Sequence, residues 1–104
     1  MFLRESFYPQ KGQIVKILKG KDAGQIAVVV SDPDEKFVYI ADGNKRKFDQ
    51  AKKKNILHLE CTPFISNEVV NSLNESGRVT NGKLRFAVQK FMQSTEFQTE
   101  EKGD

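Results

Sequence analysis

The stretch Gly12-Gln13-Ile14-Val15-Lys16-Ile17-Leu18-Lys19-Gly20-Lys21-Asp22-Ala23-Gly24-Gln25-Ile26-Ala27-Val28 decides how this chain is read. Two short apolar runs, 14–18 and 25–30, flank a loop that holds Gly20 and Gly24. The second run is rich in β-branched residues and too short for a typical helix, so both runs read as strands. Glycine takes positive φ without a Cβ clash, so paired glycines let the chain reverse within a few residues. Lys19 and Lys21 then stand at the tip of a turn whose backbone amides are positioned to form a phosphate-binding concavity.

Working outward, Ser31-Asp32-Pro33-Asp34-Glu35 is turn chemistry, with Pro presetting φ and Asp side chains bonding to nearby backbone. Lys36-Phe37-Val38-Tyr39-Ile40 reads as a third strand closed by the turn pair Asp42-Gly43. A basic loop leads to a further strand over 55–60. Four or five short strands within about 50 residues predict a small barrel, which removes exposed sheet edges. Side-chain alternation puts Val38 and Ile40 on one face of the third strand and Phe37 and Tyr39 on the other. With Val38 and Ile40 in the core, the two aromatics form an outer patch, which the C-terminal helices are expected to cover.

Past Thr62-Pro63 the texture becomes helical. Val69, Val70 and Leu73 cluster on one face of a helix ended by Ser76-Gly77. Thr80 or Asn81 caps a second helix whose stripe is Leu84, Val88, Phe91 and Met92. The expected organisation is a lead-in over 1–10, a barrel over 11–62, a helical extension over 63–92 and an acidic, flexible tail over 93–104. The fold class is mainly β, an SH3-like small barrel followed by one or two short helices.

With 104 residues the chain has the size of one domain. Ten aromatics among 38% apolar residues argue against wholesale disorder. No apolar run approaches the ~18 residues of a membrane span, and Met1-Phe2-Leu3-Arg4-Glu5-Ser6 lacks a secretory apolar region. The expected location is the cytoplasm, with no membrane partner. The single cysteine excludes an internal disulfide framework and a four-thiolate zinc site. His58 and Cys61, three apart on a strand, would point to opposite faces and could not share an ion. No nucleophile has a placed base, and Asp32, Asp34 and Glu35 lack the ligand spacing of a calcium loop. The expectation is therefore no enzyme activity, no metal and no cofactor.

The net charge is only +3, from 17 basic and 14 acidic residues, but its placement is uneven. Residues 45–54 read Lys45-Arg46-Lys47-Phe48-Asp49-Gln50-Ala51-Lys52-Lys53-Lys54, six basic against one acidic. A local field of this strength predicts a polyanion meeting one side of the protein. Phe48 reads as a loop anchor tucked into the core, with stacking on a base or sugar as its other role.

The 12–28 stretch resembles a KOW motif. Phe37-Val38-Tyr39-Ile40, the basic stretch and Lys54-Asn55-Ile56-Leu57-His58-Leu59-Glu60-Cys61-Thr62 are similar to later strands of ribosomal proteins of the L-fourteen-e type. That group includes the six-e and twenty-seven-e proteins of the large subunit. In size and arrangement the chain looks most like small bacterial KOW-domain RNA-binding proteins. The likeness covers residues 11–62 well and 63–92 loosely. It implies an SH3-like barrel in contact with structured RNA, usually ribosomal RNA of the large subunit, or with the transcription or translation machinery. Ribosomal proteins are further candidate partners, and the free protein is expected to be a monomer. The RNA-binding residues it implies are Lys19, Gly20, Lys21 and Gly24 from the first loop, with Lys45, Arg46, Lys47, Lys52, Lys53 and Lys54 from the second. The helices and acidic tail are expected to lie away from this basic side. The other reading is a protein-interaction module that docks a ribosomal or transcription-complex protein through Phe37/Tyr39 and the Leu84–Met92 helix.

Overall fold

Both apolar runs around the glycine loop are strands in the computed structural model, which describes residues 8–103 and their side chains as far as Ser94. Five strands, β1 (Gln13–Ile17), β2 (Ile26–Val29), β3 (Phe37–Ala41), β4 (Lys52–Asn55) and β5 (Leu59–Ile65), form one antiparallel sheet in the order β4-β3-β2-β1-β5. A 3-10 turn over Ile56–His58 carries the chain from β4 to β5, at opposite edges of the sheet. That route curls the sheet into a small SH3-like barrel. Leu18 N–H donates to the His58 carbonyl (2.8 Å), tying the β1 end to this turn.

The apolar runs are continuous rather than alternating because both faces of the central strands are buried. Register pairs Ile14 with Val28 and Val28 with Ala41, a row that faces the helices together with Val30. Val15, Ile17, Ala27, Val29, Val38 and Ile40 point the other way, into the barrel, where Ile56 and Leu59 close over them. Each strand of β1 and β2 thus feeds two cores at once.

Two helices follow, α1 (Asn67–Ser76) and α2 (Asn81–Gly103). The Ser66 hydroxyl caps α1 by accepting from Val69 N–H (3.3 Å), and Gly77 ends it in the left-handed region at φ +74°. The Thr80 hydroxyl accepts from Lys83 N–H (3.2 Å) and caps α2. Val69, Leu73, Leu84 and Ala87 pack on the Ile14–Val28–Ala41 row, with Val88 and Phe91 beside them.

Several boundaries differ from the sequence reading. Lys52–Asn55 is a strand, not loop, because its backbone pairs with β3 at an edge, where lysines are well tolerated. β5 runs through Pro63 to Ile65, which an edge strand permits since proline there costs no inner ladder bond. α2 continues past residue 92 to Gly103, with no Gly or Pro to stop it between Gln93 and Lys102. Residues 1–7 of the lead-in and the side chains of the tail beyond Ser94 lie outside the described residues. The helices reach only the Ala41 end of the outer face of β3. Tyr39 remains 44% exposed, and Phe37 is screened instead by Lys53, whose ammonium lies 4.6 Å from the ring centroid. The expected helical cover of this patch is therefore wrong.

Candidate nucleic-acid interface

The glycine loop closes as its composition requires. Gly20 (φ +103°) and Gly24 (φ +93°) both occupy the region that favours glycine. Gly24 N–H donates to the Ile17 carbonyl (2.7 Å), and Ala23 N–H to that of Gly20 (3.2 Å). Lys19 and Lys21 are exposed on this turn.

The second basic segment is built on Asp42. Its Oδ1 accepts from the backbone N–H groups of Asn44 and Arg46, both at 2.8 Å, and so winds residues 42–46 into a tight turn. Lys45 and Lys47 are exposed, while Arg46 is half-buried and reaches the Gln50 carbonyl (3.4 Å). Phe48 is a core anchor: its ring packs on the helix-facing cluster, and its N–H donates to Asn81 Oδ1 (2.7 Å) at the start of α2. The Arg78 guanidinium lies 5.9 Å from the centre of the same ring.

Alternation along β4 divides its lysines. Lys52 and Lys54 pair with Ile40 and Val38 and share their side of the sheet, whereas Lys53 pairs with Tyr39 and sits on Phe37. Lys54 Nζ donates to the Lys19 carbonyl (3.0 Å), so the glycine loop and the basic strand meet across the barrel mouth. A small depression of about 140 Å³ links Asp22 of the glycine loop to Lys45, Arg46 and Lys52. The structure therefore gathers Lys19, Gly20, Lys45, Arg46, Lys52 and Lys54 around one rim. Gly24 borders the same region through a neighbouring cleft that it shares with Lys45. Lys53 stands apart. None of these cations has a carboxylate within 4 Å among the described residues; the ion pair seen there joins Lys11 to Asp32 (3.7 Å).

Arg85 of α2 was missed by sequence reasoning. Its Nη1 donates to the Gly43 carbonyl (2.8 Å), and it lines the cleft with Gly24 and Lys45. No sequence signal marks it, since 42 positions separate Arg85 from Gly43. The helices thus do not all lie away from the basic side: one face of α2 forms part of it. Leu84 is fully buried in the molecule's own core, while Phe86 and Met92 are the large apolar residues exposed on the Leu84–Met92 segment of α2. His58 closes a 3-10 turn rather than lying on a strand with Cys61, so strand alternation does not relate the two. The Cys61 thiol packs against the barrel core, and burial pushes its pKa above the ordinary thiol value. Among the described residues no three His, Cys, Asp or Glu side chains come together as a metal site, and no helix is long and apolar enough to cross a membrane.

Fold and rim together define a small SH3-like barrel with a cationic mouth and a helical cover. No family model matches the chain. It is similar to a Bacillus subtilis (strain 168) protein named "Putative ribosome-binding protein YbzG", at 59% identity over 44 residues. That stretch is 42% of this chain and 60% of the relative's length.

Proposed function

We propose that this protein is a nonenzymatic, cytoplasmic RNA-binding protein that associates with the ribosome or its assembly intermediates through ribosomal RNA. The observation that carries the reading is the Lys54–Lys19 contact, which merges two basic segments far apart in sequence into one rim. The name of the Bacillus relative and the KOW-like loop support the ribosome as the partner. Capture is electrostatic: rim cations meet phosphates and release counterions, while the rigid barrel selects shape. Binding needs no cofactor or metal, and the free protein is a monomer.

If four or five rim cations meet phosphates, affinity for structured RNA falls with a log–log salt slope of roughly −3 to −4, about a hundredfold between 50 and 200 mM salt. Replacing Lys45, Arg46 and Lys47 together by Glu reverses three charges while leaving the backbone bonds of the Asp42 turn available. This variant should melt like the parent, lose RNA affinity and leave the large-subunit fractions of a gradient. Continued cosedimentation at physiological salt would overturn the proposal. Salt-tolerant association abolished by Tyr39→Asp would instead favour a protein-docking module, a reading kept alive by the exposure of Tyr39.

A further inference from the structure

The rim continues into a furrow that the charge count alone does not explain. A cleft of about 530 Å³ lies between the glycine loop, the 42–46 turn and α2, within the ~300–1,000 Å³ range of small-ligand sites. It shares Gln25, Ile26, Asp42 and Lys45 as walls with the smaller depression beside Arg46 and Lys52, so the two run together. The larger end has a distinct lining. Ile26 and Val88 are half-buried aliphatic walls, and Met92 is 45% exposed beside them. The amides of Gln25, Asn44 and Gln89 stand around this apolar seat, and Lys45 and Arg85 supply positive charge.

An apolar seat, neutral amide edges and flanking cations are the three things an unstacked nucleotide needs: a face to stack on, partners for the base edge and counter-charge for its phosphates. A duplex offers only the last of these to a surface furrow, because its bases are already stacked and paired. The two lining carboxylates fit the same picture. Asp42 Oδ1 is already committed to two backbone N–H groups, and Asp22 lines the smaller depression but not this cleft.

We propose that this furrow holds single-stranded RNA, with one unpaired base seated against Ile26, Val88 and Met92 and the adjoining phosphates on Lys45 and Arg85. The inference rests on the RNA-binding reading above and adds to it a preference for unpaired RNA and a role for α2.

The test uses the full chain, a short single-stranded RNA carrying one 2-aminopurine, and the same RNA annealed into a blunt duplex. The single strand should bind about tenfold more tightly than the duplex, with a change in 2-aminopurine emission on binding. Met92→Glu places a carboxylate at an exposed position of the seat. It should melt like the parent, lose about tenfold in single-strand affinity and leave duplex affinity within about twofold. Equal affinity for both RNAs, unaltered by Met92→Glu yet abolished by the Lys45/Arg46/Lys47 reversal, would overturn the furrow while leaving RNA binding intact. No binding of either RNA at low salt, with ribosome association retained, would overturn both.

Discussion

Replacing Gly43 by Ala should cost far more than replacing Gly24 by Ala, although both glycines have similar backbones, at φ +79° and +93°. In each, an L side chain is strained by about 1–3 kcal/mol in the left-handed region. The surroundings differ. A Cβ on Gly24 meets nothing within 4 Å. On Gly43 it would run into the Asn81 carbonyl oxygen and lie 3.0 Å from Leu84 Cβ and 3.1 Å from Arg85 Cγ. The first turn of α2 has little freedom to retreat, because Leu84 is fully buried and Asn81 holds the Phe48 N–H. Overpacking of this kind adds about 1–3 kcal/mol. The sums are then about 1–3 kcal/mol for Gly24→Ala and about 2–6 for Gly43→Ala, out of a total stability on the order of 5–15. For a domain of this size each kcal/mol lowers Tm by about 4–8 °C. Urea and thermal unfolding of both variants, followed by circular dichroism, give the comparison directly. Equal midpoints, or a lower midpoint for Gly24→Ala, would refute the docking of the 42–46 turn against α2.

Three other outcomes are expected. Asn81→Ala leaves the Phe48 N–H without its acceptor and should cost about 1–3 kcal/mol, with faster hydrogen exchange at that amide; unchanged exchange would contradict the anchor. Lys54→Met removes an exposed hydrogen bond worth at most ~1.5 kcal/mol, so melting should barely move, while backbone relaxation shows residues 19–24 more mobile and RNA affinity drops. The Cys61 thiol, with its pKa raised by burial, should alkylate more slowly in native protein than in urea at mildly alkaline pH. By linkage, its contribution is fully present below the ordinary thiol pKa and is lost as pH rises through the folded value; an alkylation midpoint pH in native protein at or below that of the unfolded chain would contradict this.

The strands around the glycine loop were legible because their signals are local: two apolar runs and two glycines where the backbone needs positive φ. The stop at Gly77 and the cap of α2, read as Thr80 or Asn81 and made by Thr80, were legible for the same reason, whereas the Ser66 cap of α1 was not read from the sequence. Val38 and Ile40 turned inward as alternation predicts. What stayed hidden depends on partners distant in sequence. Lys52-Lys53-Lys54 carries no hydrophobic alternation, so only its pairing with β3 makes it a strand, and only that register sends Lys54 to the glycine loop and Lys53 to Phe37. The stripe of α2 was visible, but its surface was not. Whether Leu84 is a docking residue or core depends on the Ile14–Val28–Ala41 row that covers it, and that row exists only once three strands are in register.

The two cores bear on function through this same register. A barrel filled only from within would carry the Lys19–Lys54 rim, but the outer faces of β1 and β2 would be bare apolar surface. α2 covers that surface, and the contact that seats it is the approach of Gly43 to Asn81 and Leu84, with Arg85 closing over the Gly43 carbonyl. Lys45, two residues beyond Gly43, is thereby held between the glycine loop on one side and α2 on the other. On the proposed RNA-binding reading, substitutions that loosen α2 should therefore alter RNA affinity even where they touch no cation, whereas charge changes at Lys19 or Lys21 should alter affinity and leave the helix seated. α2 is as much a wall of the interface as a cover for the core.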